Sequence, residues 1–182
     1  MAGVSWPAVA DEPVPLTAIL LVARSELPDP NFADSVVLVM NHVAEGPVGL
    51  IVNRPTRMTV AELFPDEKRL ATIEDKVYFG GPVEFERIWF LFRAAKAPAH
   101  AVRAFADVYL SRDRELLLRL LRRKKPMEDL RIFVGHSGWA PGQLEAEIGR
   151  GDWMLEQADS DAVFNPEAEY PWPAPREPEV ST

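Results

Sequence analysis

Hydrophobic residues in this chain gather into short runs broken by glycine, proline and charge, and most runs carry strand chemistry. Leu16–Ala23 is an apolar run of strand length, and Ser35–His42 is a second, rich in valine. Glu45-Gly46-Pro47 reads as a turn, and Val48–Asn53 returns from it, which predicts a hairpin ended by Pro55. Lys76–Phe79 and Arg87–Phe92 follow, separated by Gly80-Gly81-Pro82. Val102–Leu110, Leu130–Gly135 and Asp152–Glu156 complete the strands.

Helical spacing is rarer. Thr59 and Glu62 have capping-box spacing and predict a short helix to about Phe64. Asp113 caps a longer one, Arg114–Lys124, in which Leu116, Leu117, Leu120 and Leu121 form one apolar stripe stopped by Pro126. A third helix starts at Pro141 and ends at Gly149 and Gly151, with Leu144 and Ile148 inward; a last short turn covers Asp159–Phe164. Many short strands with a few interspersed helices predict an α+β fold without regular βαβ alternation.

The 182 residues, 47% hydrophobic, allow one domain with a real core. Two proline-rich arms flank it: residues 1–15 form a flexible N-terminal arm, residues 16–164 the body, and residues 165–182 a Pro/Glu-rich tail expected to be disordered. Tyr170 and Trp172 give that tail two rings with which to dock. No cysteine is present, which excludes disulfides, thiolate catalysis and cysteine-bound zinc. No secretory signal is visible and no apolar run can span a bilayer, so a cytoplasmic location without membrane contact is expected. Net charge is −8, much of it in the ends, and a mildly acidic body matches DNA phosphates poorly.

Candidate chemistry concentrates in Gly135-His136-Ser137-Gly138-Trp139. A hydrolase elbow requires Gly-x-Ser-x-Gly, and Trp139 occupies the second glycine position. Ser137 with His42 or His136 as base is therefore the weaker alternative; Ser137 reads better as a turn hydroxyl, with Trp139 pinning the turn to the core. Ala140, with no side-chain oxygen, would leave the amides of Gly142 and Gln143 open to water, Ser137 or an anion, although Glu145 and Glu147 oppose an anion.

Asn53 and Arg54 follow a strand, where Arg54 suits a carboxylate or phosphate, or a surface acid. Gly80 and Gly81 admit close approach of a ligand or another chain segment, or shape a tight turn. Three histidines without Glu spacing predict no metal site, and no cofactor is expected. Arg119, Arg122, Arg123, Lys124 and Lys125 form the basic run available to nucleic acid, but cations also belong at a helix C-terminus, and no aromatic interleaves them.

These pieces, in order, resemble the YqgE/AlgH family of bacterial proteins. Leu20–Ala23, Asp29-Pro30-Asn31-Phe32, Ser35–Met40, His42, Gly46, Gly49–Pro55, Phe79–Val83, Gly135–Trp139, Gly142–Ile148 and Trp153 carry the resemblance. It implies a single α+β domain whose mixed, bifurcated sheet curls into a partial barrel with a few flanking helices. It carries over no catalytic residues, and relatives often place an aromatic residue at the position of His136. Some members bear the label of transcriptional regulator. The reading is a non-catalytic binding or regulatory protein contacting an unknown protein or small molecule through Asn53, Arg54, Gly80, Gly81, Ser137, Gly142 and Gln143. A DNA-associated regulator and a small serine hydrolase using Ser137 are the alternatives.

Overall fold

The computed structural model describes residues 18–42 and 46–164; the two arms and Glu45 of the expected Glu45-Gly46-Pro47 turn lie outside them, while Gly46 and Pro47 belong to a strand and not to a turn. Ten strands form one sheet: β1 (Ile19–Ala23), β2 (Val36–His42), β3 (Gly46–Ile51), β4 (Pro55–Thr59), β5 (Lys76–Phe79), β6 (Val83–Arg93), β7 (Ala101–Phe105), β8 (Val108–Ser111), β9 (Leu130–Gly138) and β10 (Trp153–Gln157). Among the described residues, four α-helices accompany them: α1 (Val60–Leu63), α2 (Arg114–Leu121), α3 (Gln143–Arg150) and α4 (Ser160–Phe164). The main path runs β10-β1-β2-β3-β9-β6-β8-β7, and β4 joins through β5, which pairs with β9. This is the expected α+β domain with a curled, bifurcated half-barrel sheet.

The bifurcation is a property of β9. One edge of it carries β6, antiparallel. The other edge is divided: Phe133 and Val134 pair with β5 in parallel, and Ser137 and Gly138 pair with β3 antiparallel. Alternate residues therefore face different cores. Leu20, Val22, Leu38, Leu50, Trp89, Leu91, Leu110 and Phe133 share one face across both halves, the inside of the curl, which Val163 and Phe164 of α4 also cover. Outside, Leu21, Val37, Val39 and Ile51 pack under α3 and Trp139 in the first half. Phe90, Phe92, Ile132 and Val134 pack under α1 and α2 in the second. Burial on both faces explains why these strands read as unbroken apolar runs instead of alternating ones.

Several elements differ from the sequence reading, among them α2, which ends at Leu121 and not Lys124, and β6, which starts at Val83 and not Arg87. Pro55 does not end a strand. It opens β4, opposite Tyr78, a first-residue position where the missing N–H is tolerated. Val102–Leu110 is two strands, not one, because Ala106 and Asp107 turn the chain, with Ala106 at φ 41°. The stretch after Gly135 is strand through Gly138, not a turn. Finally, α3 begins at Gln143. Ala140-Pro141-Gly142-Gln143 is a type II turn: the Gln143 amide donates to the Ala140 carbonyl at 3.0 Å, and Gly142 has φ 78° and ψ −9°. The capping box is present as read, with the Thr59 hydroxyl accepting from the Glu62 amide and the Glu62 carboxylate accepting from the Thr59 amide.

Candidate functional site

Three groups of residues converge around β9. At the first, Gly80-Gly81-Pro82 carries the chain from one edge of β9 to the other, since β5 and β6 lie on opposite sides of that strand. The crossing is so close that a Cβ on Gly81 would lie 2.4 Å from the His136 carbonyl and the Ser137 Oγ, and one on Gly135 would lie 2.2 Å from the Gly81 oxygen. The approaching group is another segment of this chain. Ser137 is fully buried, and its hydroxyl donates to the Gly80 carbonyl at 3.1 Å. That bond ties the crossing to the strand.

The second group holds the Asp29–Asp34 turn. The Asn53 side chain accepts from the Val36 amide at 2.9 Å and donates to the Asp34 carbonyl at 3.0 Å. Arg54 donates to the carbonyls of Asn31 and Ala33 and lies 5.7 Å above the Phe79 ring. Phe32, thus positioned, stacks on Trp139 and meets Trp153 edge-on.

The third group is built on α3. Glu147 accepts hydrogen bonds from the indole nitrogens of both Trp139 and Trp153, each at 3.0 Å, through one oxygen. Its other oxygen accepts from Gln143 at 2.9 Å, and the Gln143 carbonyl oxygen accepts from the Ala140 amide. The Gln143 amide proposed for an anion is already bonded to Ala140. Glu147 is the member that sequence reasoning passed over. The Gln-x-x-x-Glu spacing beside two tryptophans was the available signal, since a buried indole N–H seeks an acceptor. Gly49 completes the arrangement: a Cβ there would fall 2.8 Å from the Trp139 ring.

The seven expected contact residues therefore fall into three clusters packed around Phe79 and Trp139, with Gly142 and Gln143 exposed, Asn53 and Arg54 half-buried, and Gly80, Gly81 and Ser137 buried. The side chains of Asn41 and His42 lie outside the described residues. Arg122, Arg123 and Lys124 are exposed beyond α2, while Lys125 pairs with Glu128 at 2.7 Å.

On the inner face a hollow of about 200 Å³ opens between β3, β6 and the β7–β8 hairpin. Val48, Trp89, Val102 and Leu110 wall it, and His100 and Arg112 stand at it. The Arg112 guanidinium lies 4.7 Å over the Trp89 ring. Behind Trp89, at 5.0 Å between ring centres, is His136, whose position on β9 is set by the glycine crossing. Trp89 Nε1 and His136 Nδ1 are both buried and without a hydrogen-bond partner among the described residues. Burial, chiefly, holds the His136 imidazole below its ordinary range; Arg112 and Arg87 act the same way, against Glu84 and a Val83 backbone bond.

Comparison with known proteins matches this architecture. The AlgH-like family model matches residues 20–175. A UPF0301 protein of Anaeromyxobacter dehalogenans is 38% identical over 172 residues, covering 89% of this chain and 87% of the relative. A UPF0301 protein of Ralstonia nicotianae is 34% identical over 163 residues, covering 87% and 85%. The solution structure of the AlgH protein from Pseudomonas aeruginosa superposes with a TM-score of 0.69 at 28% identity, covering 92% of this chain and 87% of that one. The chain belongs to the YqgE/AlgH family. No specific function comes with that membership.

Proposed function

We propose that this family member is a cytoplasmic, non-catalytic binding or regulatory protein, with residues 16–164 as its working body and a protein or small molecule as its partner. One observation carries the reading. The Ser137 hydroxyl is buried and donates to the Gly80 carbonyl, so the best nucleophile candidate is committed to holding the fold. A serine acting in catalysis needs a base to take its proton and an open approach for the substrate. Among the expected contact residues, Arg54, Gly142 and Gln143 then serve at the surface, and Asn53, Gly80, Gly81 and Ser137 form the frame beneath.

Direct nucleic-acid contact is not part of the reading. A net charge of −8 opposes approach to phosphates, and the exposed cations past α2 offset the helix dipole. Two measurements test it. A fluorophosphonate probe should leave the protein unlabelled; labelling abolished by Ser137→Ala would establish a hydrolase. Duplex DNA at low salt should show no measurable binding. A salt-dependent affinity lowered by neutralising Arg122, Arg123 and Lys124 would establish a DNA-associated regulator.

A further inference from the structure

The inner-face hollow has a chemistry of its own. Its lining is mixed: Val48, Trp89, Val102 and Leu110 are apolar, His100, Ser111 and Arg112 polar, and Val102 is 41% exposed although hydrophobic. Among the described residues, the ionisable side chains that line it are His100 and Arg112, with no carboxylate, in a chain of net charge −8. Arg112 has no carboxylate at ion-pairing distance among the described residues; its recorded contact is the Trp89 face. Arg112 also borders a second hollow of about 280 Å³, lined by Arg87, Arg114, Phe64 and Leu117 together with the carboxylate of Glu86. There Arg87 is held by Glu84 at 3.0 Å and Arg114 approaches Glu67 at 4.0 Å, whereas Arg112 forms no ion pair among the described residues. Trp89 is 7% exposed, lines the first hollow, and has an indole N–H with no acceptor among the described residues.

We propose that the hollow between Trp89 and Arg112 binds a small organic anion, its apolar body against Trp89, Val102 and Leu110 and its carboxylate or phosphate head on Arg112. The site gives the non-catalytic binding reading above its ligand class, and rests on that reading. Size restricts the ligand. At about 200 Å³ the hollow is below the ~300 Å³ lower end for drug-sized molecules, so the body is no larger than one ring or a short chain. Charge restricts it further, because an anionic head gains a charge-assisted hydrogen bond to a guanidinium that a neutral one does not.

The test titrates the full chain with phenylacetate, phenyl phosphate and neutral phenylethanol, following its amide and indole NMR signals. Both anions should move the Trp89 indole signal and the Val102 and Leu110 amides, with Kd on the order of 1 mM or tighter. The alcohol should bind at least about tenfold more weakly, by the loss of one charge-assisted bond. Arg112→Gln should remove the difference between anion and alcohol. Val102→Trp, on an exposed wall, should block all three while the remaining spectrum stays folded. The tighter of the two anions assigns the head as carboxylate or phosphate. Equal binding of the alcohol, shifts that do not map to Trp89, shifts that survive both variants, or no shift at about 10 mM ligand would overturn the proposal. Release of phenol from phenyl phosphate would sink the non-catalytic reading separately, since binding would still be seen.

Discussion

Glu147 shows how much one side chain carries here. A single carboxylate satisfies two indole N–H groups from β10 and from the segment after β9, and also fixes Gln143. Glu147→Ala leaves both indoles without an acceptor in a mostly apolar layer, so unfolding in urea should show a loss of about 2 kcal/mol. Glu147→Gln retains one accepting oxygen and should lose roughly half as much. His136 gives a pH prediction. Burial depresses its folded-state pKa below the 6.5 of an unperturbed imidazole. The folded protein then binds this proton less readily than the unfolded chain does. Its contribution to stability is present above about pH 6.5 and is lost as pH falls below that value toward the lower folded pKa. Urea midpoints at about pH 7.5 and about pH 5.5 should differ more in the native chain than in His136→Phe, because the carboxylates common to both cancel. Ser137 reads as a turn hydroxyl from the misplaced glycine and the adjacent His136, whereas it lies buried in β9. The partner it bonds, Gly80, was not legible, because 57 residues separate the two.

Single elements were most readable where one local interaction decides them. The leucine stripe and Asp113 cap of α2 need no distant information: the Leu116 amide donates to the Asp113 carboxylate at 2.7 Å. Asp113→Ala should cost about 1 kcal/mol, and Asp113→Asn much less, by thermal or urea unfolding. Readings failed where two local rules compete. Pro141 fits the first position of a helix and also the second position of a type II turn, and Gly142 at φ 78° decides for the turn. The β7–β8 hairpin was hidden because its turn is Ala106-Asp107, without the glycine or asparagine that usually marks positive φ. In β6 the register jumps from Val83 opposite His136 to Ile88 opposite Val134, which puts Glu84–Arg87 outside the ladder. Nothing in that charged stretch marks the bulge in advance.

The whole molecule was legible as a class but not as a pairing scheme. Runs of valine, leucine and isoleucine announce strands, yet the order of strands depends on contacts between distant residues. The candidate hollow shows the same limit. Val48, Trp89, His100 and Arg112 come from separate strands and connections, and only the curl of the sheet brings them together. The motif-rich segments that the eye finds first are occupied with the outer layer of Phe32, Phe79, Trp139 and Trp153. The inner face carries the open chemistry.

The divided edge of β9 also bears on how the molecule is made. Residues up to Phe92 can emerge from a ribosome as a three-stranded meander, the β4–β5 pair and an unattached β6, but the strand that joins β3, β5 and β6 ends at Gly138. Until the nascent chain has passed that point, the apolar faces of both halves have no common seam to close on. Those faces stay exposed for the whole of that interval, the condition under which a nascent chain is prone to aggregate and a chaperone shelters it.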